Sequence, residues 1–472
     1  MNAAPHDVDP TQRTAADLVA AVSGRKISAV EVVEAHLRLI DRVNPDLNAL
    51  TVVFSERARA EASALDDAIA SGVPAGPLAG VPFSVKENID LTWSATTNGW
   101  RGLADAVPSR DATIVRRMRA AGAVPIGRGN MPDFGMRWDT DNDLFGRTMN
   151  PWDRGRSPGG SSGGDAVAVA TGMSAVGLGN DFGGSLRLPA YAVGICGLRP
   201  SRGRVPRAAV AGHPVALTLQ QFSVNGPLAR TIDDLARVFD IIRGVDLDDP
   251  VSADVVGLRA DRVPRRAGVL RADTDMAPDV AAGLSRAAAS LRSAGWDVID
   301  VDAPRLEDAA AIWRRLACTD MLISLDPEVL GLPLGRSATS FLRVSTAAAQ
   351  PYETAHDYAS AWAEVAAIAS EWARLQRDVP VLLGPVSTAR MGPPDYDLGG
   401  PHEATRAWHD IRLTVAVNLL GLPAVALPTG QGGDGMPTGV QLIGPMHGEE
   451  VVFAAARDLE AGVGRGARPT LG

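Results

Sequence analysis

Lys86 stands in the short apolar stretch "GVPFSVKENID", Gly80 to Asp90, of a chain that otherwise avoids lysine. Of 46 basic residues only Lys26 and Lys86 are lysines; the other 44 are arginines. Arginine supplies a fixed positive charge nearly anywhere, whereas lysine can give up its proton when desolvated. A lysine kept in such a stretch therefore points to proton transfer. At the reference value near 10.4, about one lysine in 2,500 is neutral at pH 7. A base would need that value lowered by about three units, roughly 4 kcal/mol of disfavoured charge, which burial can impose. Lys26, in "SGRKIS", reads as a solvated residue.

The partner for such a base lies in "GRSPGGSSGGDAVAVATGMSAVGLGNDFGGSLRLPA". Ten of the 30 residues from Gly155 to Gly184 are glycine, a density that calls for close backbone approach. As a phosphate loop the segment lacks the Lys-Ser/Thr that would follow the glycines, and the GxGxxG spacing is absent at a strand-to-helix turn. Gly159, Ser161 and Gly163 satisfy GxSxG, and a Ser-His-Asp hydrolase would then need a histidine such as His213 or His409. That motif requires a strand directly before the serine, and "NPWDRGRSPGG" is loop chemistry. A third reading uses two serines and the lysine. Ser185 follows the apolar strand "SAVGLG" by a few residues, near a strand's carboxyl end, where open α/β sheets place ligands. The backbone N–H groups of Phe182, Gly183, Gly184 and Ser185 would point into one small volume and stabilise an oxyanion. Ser161 and Ser185 flank one helix and one strand, so their loops can meet at one sheet edge. In "VPFSVK", Ser84 and Lys86 share one strand face, with Phe83 and Val85 on the other and Pro82 at the strand start.

"GGSSGG", followed by "GNDFGGSLRLPA" with Ser185 24 positions after Ser161, resembles the amidase signature family. "GVPFSVKENID", "RDATIVRRMRAAGAVPIGRGNM", "GRTMNPWD", "GICGLRPSRGRVP" and "NLLGLPAVALPTG…GVQLIG" resemble that family's blocks in its order. The likeness runs from Ala16 to Glu460 and is weakest in the middle third. It implies a Ser-Ser-Lys triad: Ser185 as nucleophile, Ser161 as bridging serine, often held by a cis peptide bond for which Gly160–Ser161 is the place, and Lys86 as base. It implies hydrolysis of small or aryl amides through an acyl-enzyme, with no metal and no organic cofactor. The same triad opens carbamates and esters, so a urethane-cleaving hydrolase is the alternative. A Ser-His-Asp esterase, a catalytically dead binder and a glutamine-hydrolysing amidotransferase subunit stand further off. Asn180 departs from the small hydroxyl residue common in the family, and Phe182 from a Thr or Ile, which bears on substrate size. Arg128 and Arg199 stand where the family often has lysine, while Lys86 is retained. In "MPDFGMRWDTDNDLF", Met131, Gly135 and Trp138 read equally as substrate-pocket lining, as in similar stretches of the family, and as ordinary packing.

These residues need elements to position them. Ser28 and Glu31 match a capping box before a helix to Val43 whose apolar face holds Val32, Ala35, Leu39 and Val43. "DATIVRRMRAAGAVPIG" reads as a helix stopped at Gly122 and then a buried strand, and "DAVAVATG" plus "SAVGLG" repeats the unit. Helix alternating with apolar strand indicates an α/β chain with a mixed, largely parallel central sheet flanked by helices. Residues 246–376, rich in Ala, Arg and Asp, read as a helical segment covering the sheet or the cleft, within one amidase-like domain spanning 1–472. "AVALPTGQGGDGMPTGVQLIG" reads as two strands with a Gly-rich turn, followed by a final helix through Glu460.

Composition bounds the partners. A net charge of −9 with no basic stripe argues against nucleic acid. Cys196 and Cys318 lie far apart and form no CxxC, and the histidines show no ligand spacing, so no metal site is expected. The polar amino terminus lacks a signal-peptide core, and the longest apolar run is too short to span a membrane, so a cytoplasmic, small-molecule enzyme acting as monomer or homodimer is expected.

Overall fold

The computed structural model of the protein describes residues 9–207, 215–270 and 275–471. Among them run the strands β1 (Leu50–Val53), β2 (Pro82–Lys86), β3 (Val124–Gly129), β4 (Val176–Asp181), β5 (Cys196–Arg199), β6 (Val224–Ala229), β7 (Arg266–Leu270), β8 (Asp297–Val301), β9 (Val381–Pro385), β10 (Ala424–Gln431) and β11 (Pro437–Ile443). They form one eleven-stranded sheet in the order β1-β3-β2-β4-β6-β5-β10-β11-β9-β7-β8, flanked by helices. No helix among the described residues is long and apolar enough to cross a membrane.

Local sequence explains the elements that carry the site. The helix Ala29–Leu47 starts at Ser28, whose hydroxyl accepts the Glu31 N–H at 3.1 Å while Glu31 accepts the Ser28 N–H at 2.8 Å. The helix Thr113–Ala120 stops before Gly122, which takes φ 89°, and β3 follows at once. The helix Gly163–Thr171 ends on Gly172 in the left-handed region, and β4 follows. These helical crossovers make β2 parallel to both β3 and β4. β10 and β11 form the hairpin read from the Gly-rich turn, and the helix Glu449–Val463 closes the fold.

The sheet is mixed, as expected, but parallel pairing does not dominate it. Parallel neighbours are confined to β2 with β3 and β4, and to β7 with β8 and β9. Every other neighbouring pair is antiparallel; of these only β10 and β11 form a hairpin, and the rest pair strands with one or more helices between them in the chain. The segment 246–376 also departs from the helical expectation, since it contributes β7 and β8 at the sheet edge. β8 reads "DVIDV" and lies half-exposed, so its polar alternation is that of an edge strand and is easily lost among Ala- and Arg-rich helices.

Candidate active site

Lys86 ends β2, and every residue of that strand is buried. Its Nζ donates to Ser161 Oγ at 2.8 Å and to Asn180 Oδ1 at 2.8 Å. The side chain is 0% exposed. Burial pulls the ammonium well below its ordinary range; Asp165 and Asp181 oppose the shift, and Arg207 adds to it. Asn180, at the end of β4, passes its other end to Asn88, with Nδ2 donating to Asn88 Oδ1 at 2.7 Å. The amide oxygen fixes where the lysine's N–H groups point. In the sequence Asn180 stands out only as a departure, and both contacts escape notice, because Asn88 and Asn180 meet only once β2 and β4 pair.

Ser161 is 2% exposed and Ser185 4%. No strand runs into Ser161, so the nucleophile-elbow geometry is absent; His213 lies outside the described residues and His409 sits on the helix Pro401–Asp410. The Gly160–Ser161 peptide bond is cis. Ser162 ties the two serine loops together, its N–H donating to Ser185 O at 3.3 Å and its hydroxyl to Asn180 O at 3.4 Å. Among the described residues the Ser185 hydroxyl makes no hydrogen bond.

The turn from Asp181 to Ser185 is held from below. The Asp181 carboxylate accepts the N–H of Gly184 at 2.8 Å and of Leu186 at 3.2 Å, with Arg187 Nε at 3.1 Å and Asn418 Nδ2 at 2.8 Å. Burial alone would raise this carboxyl, but Arg187 and Arg199 overrule it and hold it well below the usual range. Asp181 thus orients the loop. The expected four-donor oxyanion cluster is corrected at one position: the Gly184 N–H is committed to Asp181, because the turn needs an internal acceptor. The N–H groups of Phe182, Gly183 and Ser185 have no acceptor among the described residues.

The three pocket candidates lie beside these loops. A methyl group on Gly135 would come 3.0 Å from Ser161 Oγ and 3.2 Å from the Met131 methyl. Trp138 Nε1 donates to Gly183 O at 3.0 Å. Phe182 packs against Trp313 and Phe222, with centroids 5.3 and 6.0 Å away. Trp313 comes from the helix Leu306–Ser324, so the middle third does reach the loop before Ser185.

Arg128 and Arg199 are buried for a different purpose. Arg128 donates to the main-chain oxygens of Lys86 at 3.2 Å and Ala95 at 3.1 Å, and to Ile89 O. Arg199 Nη1 donates to Asp181 O at 2.7 Å and Phe222 O at 2.8 Å. Both positions need donors, not a proton acceptor.

Comparison with known proteins agrees along nearly the whole chain. The Amidase family pattern matches residues 31–453. An indoleacetamide hydrolase of Bradyrhizobium diazoefficiens is 34% identical, covering 95% of this chain and 86% of that protein. The structure of a 6-aminohexanoate cyclic dimer hydrolase superposes with TM-score 0.81 at 28% identity, covering 98% of this chain and 99% of that one. The structure of a bacterial aryl acylamidase of the amidase signature family superposes with TM-score 0.83 at 27% identity, covering 95% of this chain and 96% of that one. A buried lysine joined to a serine of a glycine-rich loop, in a sequence matched over this length, places the chain in the Amidase family, the amidase signature enzymes, as an amidohydrolase acting on amides.

Proposed function

We propose that the protein cleaves the carbonyl–nitrogen bond of small or aryl-substituted amides through an acyl-enzyme on Ser185, with Ser161 and Lys86 relaying protons. The observation that carries this reading is the 2.8 Å contact of the fully buried Lys86 Nζ with Ser161 Oγ. A neutral Lys86 takes the Ser161 proton as Ser161 takes that of Ser185, and Ser185 Oγ adds to the carbonyl carbon. The resulting oxyanion accepts from the N–H groups of Phe182, Gly183 and Ser185. The Lys86 ammonium then returns its proton through Ser161 to the departing nitrogen, and the amine leaves. Water, deprotonated by the same relay, attacks the acyl carbon and frees Ser185. The open Ser185 hydroxyl is compatible with this sequence, since catalytic hydrogen bonds often tighten only with substrate bound.

An aromatic substrate is favoured by the Phe182, Trp138 and Trp313 rings around Gly183, and by the names of two similar proteins, an indoleacetamide hydrolase and an aryl acylamidase. Turnover of a panel of aryl amides, aliphatic amides, carbamates, esters and glutamine tests the reading. An aryl amide is expected to give the highest kcat/KM, with Ser185→Ala and Lys86→Ala both lowering it by at least about 10²-fold. Preference for the carbamate or for glutamine, or activity surviving Lys86→Ala, overturns it.

A further inference from the structure

Beneath Lys86 lies a buried carboxyl that the relay does not use. Asp165 occupies the first turn of the helix Gly163–Thr171 and is fully buried. Its Oδ1 accepts from Ser84 Oγ at 2.7 Å, and its Oδ2 has no hydrogen-bond partner among the described residues. Among the described residues no arginine or lysine forms an ion pair with it.

The sheet is shaped to admit it. Lys86 pairs with Gly129 on β3, and Ser84 with Gly177 on β4. A methyl group on Gly129 would overlap the Asp165 carboxylate, and one on Gly177 would come 3.1 Å from Asp165 Cβ. Two strands thus lack side chains where they flank Ser84 and Lys86, and the carboxyl fills that gap. A fully buried carboxyl with one unpartnered oxygen is costly unless a charge nearby offsets it. Resting on the proposed role of Lys86 as base, we propose that Asp165 is a positioning residue: seated in the gap left by Gly129 and Gly177, it governs the pH at which Lys86 becomes free to accept a proton.

The other charges around the pair do not replace it. Asp181 faces Lys86 from the end of β4 but is held by Arg187 and Arg199. Arg207 faces it with the opposite sign. Glu87 faces Asp165 and is held by the hydroxyls of Thr51 and Thr97, and Arg128 spends its donors on main-chain oxygens and the hydroxyls of Ser94 and Thr96. Burial raises Asp165 while it lowers Lys86, so the two titrate as a pair. An ionised Asp165 favours the Lys86 ammonium, so removing it makes Lys86 lose its proton at lower pH.

Two lysines make this directly measurable. Labelling with ¹³C,¹⁵N-lysine gives one signal from exposed Lys26 and one from Lys86, assigned with Lys26→Arg. In Asp165→Asn the Lys86 midpoint is expected to fall by at least about one pH unit, a tenfold change in proton affinity, and the acid limb of kcat/KM for an aryl amide to move with it. An unmoved or raised midpoint overturns the proposal, as does a fall in kcat that is uniform in pH. Asp165→Ser serves if the first variant does not fold. The lysine signal needs no turnover, so an inactive protein would defeat the proposed function and leave this result readable.

Discussion

Lys86 and the arginines around it separate two uses of a buried cation. Arg128 and Arg199 fan their donors onto main-chain oxygens, which needs charge and geometry but no proton loss. Among the described residues the Lys86 ammonium makes two hydrogen bonds, to groups that fix its direction. Lys86→Arg keeps the charge and much of the bulk, yet the guanidinium does not deprotonate. It is expected to lower kcat for an aryl amide by about 10²–10⁴-fold at every pH, with the circular dichroism spectrum unchanged. Activity within tenfold of the parent would show that no proton is taken there. Lys86, Ser161 and Ser185 stood out as candidates in the sequence because their residue types and motif context are unusual. Asn180 as the partner of Lys86, Asn88 behind it and Asp165 against Ser84 were not legible: each is an ordinary polar residue until strand order brings them together.

The loop between β4 and the helix Arg187–Val193 shows how elements share the site. Gly183 carries one of the N–H groups proposed for the oxyanion, accepts from Trp138 through its carbonyl, and lies against the Trp313 ring. A methyl group there would come 2.7 Å from that ring, so Gly183→Ala must push either the loop or the helix bearing Trp313. The expected cost is about 1–3 kcal/mol in thermal or denaturant unfolding, together with a fall in kcat larger than any change in KM. Combining it with Trp313→Leu should recover part of the kcat; a double variant no better than the single one would mean the contact does not position the loop. The capping box at Ser28, the glycine stops and the β10–β11 hairpin were legible because each is a local signal. β7 and β8 were not, since an edge strand with alternating polar residues carries little hydrophobic signature inside a helix-rich stretch.

At the scale of the molecule, the sheet buries charged and titratable groups well outside the site, and acid should expose that cost. His36, on the helix Ala29–Leu47, is fully buried, with Nδ1 against Val32 O at 2.8 Å and Nε2 unpartnered. Burial pulls it from 6.5 down to about 4. Its folded value lies below its unfolded one, so the unfolded chain binds the proton first. Stability from this residue is complete above about pH 6.5 and lost as pH falls towards 4, by roughly 3 kcal/mol. Unfolding in urea between pH 7 and 4.5 should therefore steepen with acid in the parent and flatten in His36→Gln, compared as slopes; equal slopes would contradict a neutral buried imidazole. The α/β class was legible from the two helix–strand units that follow Lys86. The antiparallel pairing around β5 and β6 was not, because both are short strands with no hairpin turn to fix their direction.

Trapping the covalent intermediate tests the central claim most directly. The protein is mixed with an aryl amide or its activated ester, quenched in acid within one turnover, and digested for mass spectrometry. The account predicts one acyl group on the peptide bearing Ser185, absent from Ser185→Ala. An acyl group on Ser161 or elsewhere, or full turnover by Ser185→Ala, would contradict it.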